Sequence, residues 1–448
     1  MELYVIDPFQ STTPHFPIIG MIPSYYSLLW NPQLYGLGYF QVKVAATQQN
    51  VNLLKKGRFL VRQEDIHQVS SNYISYENAM IIRSVTIDYN ADQGYTMTVE
   101  GKSIKDILSQ RVIWDQYVCT SQQLPSVIYD LLQRNVVDPE GYVDGVLADL
   151  AEQRVDLQED IDQTAQDISD ASEAYRQAVA DYGADSEEAA IAKAVLENYE
   201  TIYDRLIKEM AELLKRIRYY NWSKGHQQYR AIPYVSAGLI DFPTTPPSIT
   251  AELRGENLGE WVEQICKENR FGWDMVLSDS DITFVFVVGG DKSATVIFSP
   301  EFDNLKTSSY KDSTEGYMNA GIALGEGEGW HRIVAGIGSS SGHARYEASI
   351  DADISTDTEE GTISGPQYNN MLLQYGRSEL INRMDQTSFS GELDTDGIFK
   401  IGVDFNMGDK VKVENEVGIS ATTRLVEIIY SDEASGHKVT GIFEEWED

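Results

Sequence analysis

The chain has 448 residues, 42% of them hydrophobic and 23% charged, with 70 acidic against 35 basic side chains and a formal net charge of -35 at pH 7. That length exceeds what one hydrophobic core sustains, so two to four domains are expected, and the charge argues against a protein that binds nucleic acid by neutralising phosphates. Cys119 and Cys266 stand far apart without CxxC spacing, and neither a signal-peptide pattern nor a run of 18 apolar residues occurs; a disulfide scaffold, a zinc cage, signal-peptide export and a membrane-spanning helix are therefore not expected.

Residues 16–40 are apolar and aromatic but broken by Pro17, Pro23 and Pro32. Segments 37–45, 57–62, 80–89 and 94–100 alternate or cluster β-branched and aromatic residues between Gly, Asn and Asp, a pattern of a β-barrel or sandwich. Ser103 is placed to cap a short helix carrying Ile104, Ile107 and Leu108, and a second helix is expected from about 122 to 133.

Between Leu147 and Ile217 the sequence predicts a long helical hairpin. Leu147, Leu150, Leu157, Ile161, Ile168, Ala171, Tyr175, Ala178 and Tyr182 step by three and four, interrupted by Arg154 and Thr164. Gly183 ends that arm, and Asp185 with Glu188 resembles a capping box. The second arm carries Ile191, Val195, Tyr199, Ile202, Leu206, Met210, Leu213 and Ile217, with Lys215, Arg216 and Arg218 where the helix dipole favours cations. Arms of about 33 to 36 residues give a length of roughly 50 Å, with the two chain ends adjacent. Such a hairpin reads as a solvated spacer or as a docking arm for a partner.

Residues 230–250, with Pro233, Pro243, Pro246 and Pro247, read as an extended connection. A small α/β unit follows, in which Asn257 opens a helix with Leu258, Trp261, Val262, Ile265 and a buried Cys266, before strands at 273–277, 282–288 and 294–298. Residues 301–346 read as irregular, 345–354 as a strand, 368–384 as a helix, and 386–393, 398–402, 409–414, 422–430 and 437–443 as a last β set. Two stretches are alike. GRFLVR (57–62) before SVTIDYNADQGYTMTVEG (84–101) parallels GDKVKV (408–413) before LVEIIYSDEASGHKVTG (425–441), which suggests two related β-barrels in one chain.

No motif for chemistry is complete. Gly101-Lys102-Ser103 lacks the glycine a phosphate loop needs, because Thr96 stands there. Gly325, Gly327 and Gly329, and Gly336, Gly338 and Gly342, open no helix after a strand, as a dinucleotide site requires. Asp351, Asp353, Asp357 and Glu359 are spaced like the start of a calcium loop, but Thr356 and Thr362 replace its glycine and bidentate acid; a solvated acidic turn or a loose Ca²⁺ site near Asp351 and Asp353 remains. His15, His67, His226, His331, His343 and His437 form no metal-ligand pattern. No catalytic, cofactor-binding or metal residue is assigned.

YSLLWNPQLYGLGYFQV (26–42), MIIRSVTIDY (80–89) with YTMTVEGKSIKDILSQRVI (95–113), RAIP (230–233), GGDKSATVIFSPEFDNL (289–305), GYMNAGIALGEGEG (316–329), RYEASIDAD (345–353) and VDFNMGDKVKV (403–413) together resemble one family. It is the tail-tip or baseplate hub proteins of long-tailed, siphovirus-type bacteriophages, related in fold to hubs of contractile baseplates. The resemblance implies a β-rich α+β protein: a first barrel domain at 1–115, a small α/β domain at 116–143 and 221–300, a second barrel domain at 301–448, and the hairpin at 144–220 as an insertion. It further implies a homotrimer in the virion tail, assembled in the host cytoplasm, joining the distal tail protein and hexameric tube to tip or receptor-binding proteins. DNA would pass through the lumen without specific binding. The alternatives are a tail-tip cell-wall hydrolase, disfavoured because the sequence reaches Asp448 directly after the last strands, and a host-surface adhesin acting through the acidic arm.

Overall fold

Ten strands carry the architecture: β1 (Ser27–Asn31), β2 (Tyr39–Ala45), β3 (Phe59–Arg62), β4 (Met80–Asn90) and β5 (Gly94–Ser103) in the first part of the chain, and β6 (Ser309–Asp312), β7 (Thr387–Leu393), β8 (Lys410–Glu414), β9 (Ser420–Glu433) and β10 (Gly436–Glu445) in the last. The computed structural model describes residues 2–9, 13–70, 73–91, 94–238, 246–352, 354–358, 361–381, 383, 387–394, 398–433 and 436–445. Two compact units are present, Met1–Leu132 with Ile232–Asp448, and Gln133–Ala231.

The first unit is built on a 13-stranded sheet in which the ten strands follow the order β6-β7-β10-β9-β1-β2-β5-β4-β3, with β8 beside β9. Five strands are thus laid out twice: β1-β2-β5-β4-β3 and β6-β7-β10-β9-β8, every pairing antiparallel. The details repeat as well. The β4–β5 pairing shifts register between Ile82 and Ser84, and the β9–β10 pairing shifts between Leu425 and Glu427, so Arg83 and Val426 are equivalent bulge residues. Gly57 and Gly408, at φ 85° and 92°, each donate their N–H to the residue before the bulge, Ile82 O and Leu425 O, at 2.8 Å. Phe40 lies opposite Gly101 as Phe389 lies opposite Phe443.

One hydrophobic core serves both repeats: Leu3, Trp30, Phe40, Val99, Phe298, Phe389, Leu425 and Phe443 belong to the same buried cluster. Smaller layers flank it. A five-stranded sheet (Val235–Ala237, Ile282–Val287, Gly272–Ser278, Tyr73–Tyr76, Ile66–Ser70) lies with the helix Leu258–Glu268, which Asn257 caps through Glu260 N–H. A three-stranded sheet (Val334–Ile337, Ala320–Leu324, Glu347–Asp351) is covered by the helix Gly365–Ile381.

Several expectations are corrected. Residues 301–346 are not irregular throughout, since β6 and two further strands lie there. Residues 398–402 form a turn bridged from Ile401 to Phe405 instead of a strand. The connection at 230–250 contains the strand Val235–Ala237 and the start of another, Ser248–Leu253, while Pro243 lies outside the described residues. Ser103 precedes a short 3-10 helix, Ile104–Gln110, but its side chain makes no capping bond.

The second unit holds the two long helices, Pro139–Tyr182 of 44 residues and Glu187–Gln227 of 41. Both exceed the expected arms; at 1.5 Å per residue they run about 60 to 66 Å. Asp138 caps the first through Gly141 N–H, and Pro139 occupies a position where its missing N–H costs nothing. Val143 and Leu150 pack with Leu213 and Tyr220, which fixes the arms antiparallel. Lys224 reaches Asp144 at 2.6 Å, and buried Arg230 donates to Gln227 Oε1 at 2.8 Å and Asn135 Oδ1 at 3.1 Å, closing the base. At the tip Gly183 has φ 93°, and the cap of the second helix is Ser186, accepting from Ala189 N–H, not Asp185. Because that helix continues to Gln227, its last-turn basic residues are Lys224 and His226, not Lys215, Arg216 and Arg218.

Candidate assembly site at the junction of the two repeats

The two repeats meet where β9 pairs with β1, with Tyr430 opposite Trp30, Ser431 opposite Leu29 and Asp432 opposite Leu28. β1 can lie there because it alternates: Leu28 and Trp30 are buried, and the strand runs on so that Leu34 N–H donates to Val426 O at 2.8 Å. Side chains fasten the same seam. Asn31 donates to Glu427 Oε1 at 2.5 Å, and the Tyr25 hydroxyl donates to Asp432 Oδ2 at 2.6 Å. Burial and the Asp432 carboxylate push the Tyr25 phenol above its usual range, so it stays a donor at any physiological pH.

Behind the seam lies a cavity of about 540 Å³ whose lining includes Arg62, Asp65, Lys105, Trp273, Phe405 and Tyr430. Arg62 is buried, grips Asp65 through Nε and Nη2 at 2.5 and 2.7 Å, and sits 3.7 Å over the Tyr430 ring. Lys105 donates to Gln33 O and Leu34 O at 2.8 and 3.2 Å and lies 4.6 Å from the Trp273 ring. Burial pulls its ammonium down to about 8, against the opposing pull of Asp274. Each of these charges already has its partner in the fold, so the chemistry of the cavity is that of a braced joint. Nothing periodic in the sequence marks these residues: Arg62 and Asp65 pair three residues apart, while Tyr430 and the carbonyls that hold Lys105 are distant in the chain.

The motif residues weighed from sequence are spread across the first unit. Gly101 belongs to β5, where a Cβ would lie 1.8 Å from Ile81 O, so the strand crossing at the bulge requires glycine. Lys102 lies 3.7 Å from Asp106, and Ser103 Oγ is buried without a hydrogen-bond partner among the described residues. Gly325 abuts Tyr368, and Gly327, Gly329, Gly338 and Gly342 have positive φ, Gly329 and Gly342 as the first residues of short 3-10 helices. Asp351 accepts from Arg332 Nη2 at 2.5 Å, whereas Asp353 and Glu359 lie outside the described residues. Among the described residues no group of three or more His, Cys, Asp or Glu side chains is placed to hold a metal ion. Cys119 and Cys266 are buried thiols; burial pushes Cys119 up to about 11 and Cys266 higher still. Among the described residues no helix is long and apolar enough to cross a membrane.

The family model of the siphovirus ReqiPepy6 Gp37-like proteins matches residues 2–443. The chain belongs to that family. Its fold is similar to that of the 43 kDa tail protein of prophage MuSo2 from Shewanella oneidensis, at 11% identity and a TM-score of 0.50, covering 99% of this chain and 98% of that one. A tail protein from Neisseria meningitidis MC58 gives 9% identity and a TM-score of 0.48, covering 99% and 96%. Prophage tail protein gp18 from Listeria monocytogenes EGD-e gives 11% and 0.42, covering 99% and 94%. No curated protein matches the chain in sequence. The family and the shared fold agree with the resemblance read from the sequence.

Proposed function

We propose that this Gp37-like protein is a structural component of a siphovirus tail, the hub at its distal end. The observation that carries the reading is the twofold layout of five strands with matching bulges and matching glycines. Each repeat would supply one tube-like barrel position, so three chains would present six similar positions to a hexameric tube. The partners on this reading are two further copies, the distal tail protein or tube above, and tip or receptor-binding proteins below. The net charge of -35 suits a wall along which DNA slides, because like charge opposes adhesion.

The long hairpin is then an insertion that the hub tolerates, its ends held together by Lys224 and Asp144. The role involves no catalytic step, so purified protein leaves cell walls uncleared in a zymogram. Imaging of assembled tails tests the whole reading. A three-fold ring at the tail end with three rods about 60 Å long is expected; a particle in which the protein lies elsewhere, or occurs once, overturns it.

A further inference from the structure

Beside the outer half of its long hairpin strand, each repeat has room for one more strand, and among the described residues only one of the two places is filled. In the second repeat β1 lies there, along Tyr430 to Asp432 of β9. In the first repeat β3 pairs with Met80 and Ile81 of β4. Among the described residues no strand lies on that side of β4 from Thr86 to Tyr89. The complementary vacancy is at β6, the counterpart of β1. Where β1 carries β9 on its outer edge, β6 has β7 on one side and, among the described residues, ends the sheet on the other. The two open edges are therefore the equivalents of the two that meet at the filled junction.

We infer that a second copy of this chain closes both gaps: β6 of one copy pairs antiparallel with the outer half of β4 of the next. The filled junction dictates the register. The equivalent bulges at Arg83 and Val426 map Tyr430 onto Ile87, and the matching phenylalanines of β2 and β7 map Trp30 onto Tyr310. Ile87 then faces Tyr310, Asp88 faces Ser309 and Thr86 faces Lys311. The inference deepens the hub proposal and rests on its premise that copies of the chain assemble.

The occupant is a copy rather than a foreign strand because its template is already inside the molecule, where a relative of each partner makes the same contact. Side-chain exposure agrees. Trp30 and Tyr430 are buried at the filled junction, while Tyr310, Ile87 and the neighbouring rings of Tyr89 and Tyr95 are exposed. All four residues of β6 are exposed. Lys311 would lie diagonal to Asp88 on one face, an attraction across the new pair. Within one copy β6 and β4 stand near opposite ends of the strand order, so the contact is head-to-tail and must close into a ring or run on as a filament.

Thiol cross-linking of the full chain tests the register, alongside its mass in solution. Asp88→Cys combined with Ser309→Cys puts two thiols opposite each other across the interface; Asp88→Cys with Tyr310→Cys puts them on opposite faces. Oxidation is expected to link the first pair at least about tenfold faster than the second. Linking should give a ladder that ends at a closed oligomer, and wild type, with its two cysteines buried, should give none. Lys311→Glu should weaken the oligomer and Asp88→Lys should restore it. An oligomer whose in-register thiols stay unlinked, and which ignores Lys311→Glu, overturns the strand pairing while leaving the hub proposal standing. A chain that remains monomeric and unlinked at its highest soluble concentration overturns both.

Discussion

In the strand unit, Leu3 and Phe443 from the two ends of the sequence share one core with Trp30, Phe40, Phe298 and Phe389, so each strand is held by residues far from it in the chain. In the hairpin, burial is sparse and runs along the seam between the two helices. Val143, Leu150, Leu213 and Tyr220 cluster near the base, while Tyr182, Ile191 and Val195 toward the tip are exposed. A unit whose contacts are long-range unfolds as one body; a pair of helices with few buried residues per turn opens piecemeal. The same substitution should therefore read differently in the two.

Trp30→Ala is the largest expected effect. Trp30 is fully buried between the repeats, and its removal should cost about 3–5 kcal/mol and shift the unfolding of the whole strand unit in urea. Leu213→Ala in the hairpin should cost about 2 kcal/mol and raise amide exchange only in the two long helices. Equal, global effects from both would mean that hairpin and strand unit unfold together.

Next in size is a pH effect inside the strand unit. Burial pushes the Glu268 carboxyl up to about 7, its Oε2 being enclosed without a hydrogen-bond partner among the described residues. Below the ordinary value of 4.5 both folded and unfolded chains hold the proton, and the group costs nothing. Between 4.5 and 7 the unfolded chain ionises first, so stability falls as pH rises, and above 7 the penalty is complete. Glu268→Gln should thus equal wild type at pH 4 and exceed it at pH 8 by at most about 3 kcal/mol, measured by urea unfolding. A gain at pH 4 as large as that at pH 8 would refute the assignment.

Gly57→Ala and Gly408→Ala sharpen the repeat itself. Both glycines hold a positive φ and bond the residue before a bulge, so each alanine should cost roughly 1–2 kcal/mol. A large loss at one and none at the other would mean that the two sites are not equivalent. The smallest effect is Ser186→Ala, about 1 kcal/mol, seen as faster exchange at the hairpin tip with the strand unit unchanged.

What the sequence disclosed follows from how far apart the deciding contacts lie. The hairpin was legible because helical spacing is written in consecutive residues, yet its base was missed. Gly141, Gly145 and Gly225 are poor helix formers, and the helices persist through them because Val143, Leu150 and Tyr220 pack there. Asp185 and Ser186 are both good caps, and only the backbone selects Ser186. The strand Ala320–Leu324 was invisible since alanine and glycine are weak strand formers; it exists because the covering helix brings Gly376 against Ala323. The repeat was glimpsed through GRFLVR and GDKVKV. Its five-strand order, and the seating of Arg62 over Tyr430, depend on pairings that no local pattern records.

On the proposed function, two strand repeats per chain make a hub of three chains. Native mass measurement of the purified 448-residue chain decides between this and other assemblies. A species of three times the 50.3 kDa chain mass is expected. A monomer or an even-numbered oligomer as the sole species at every concentration would contradict it.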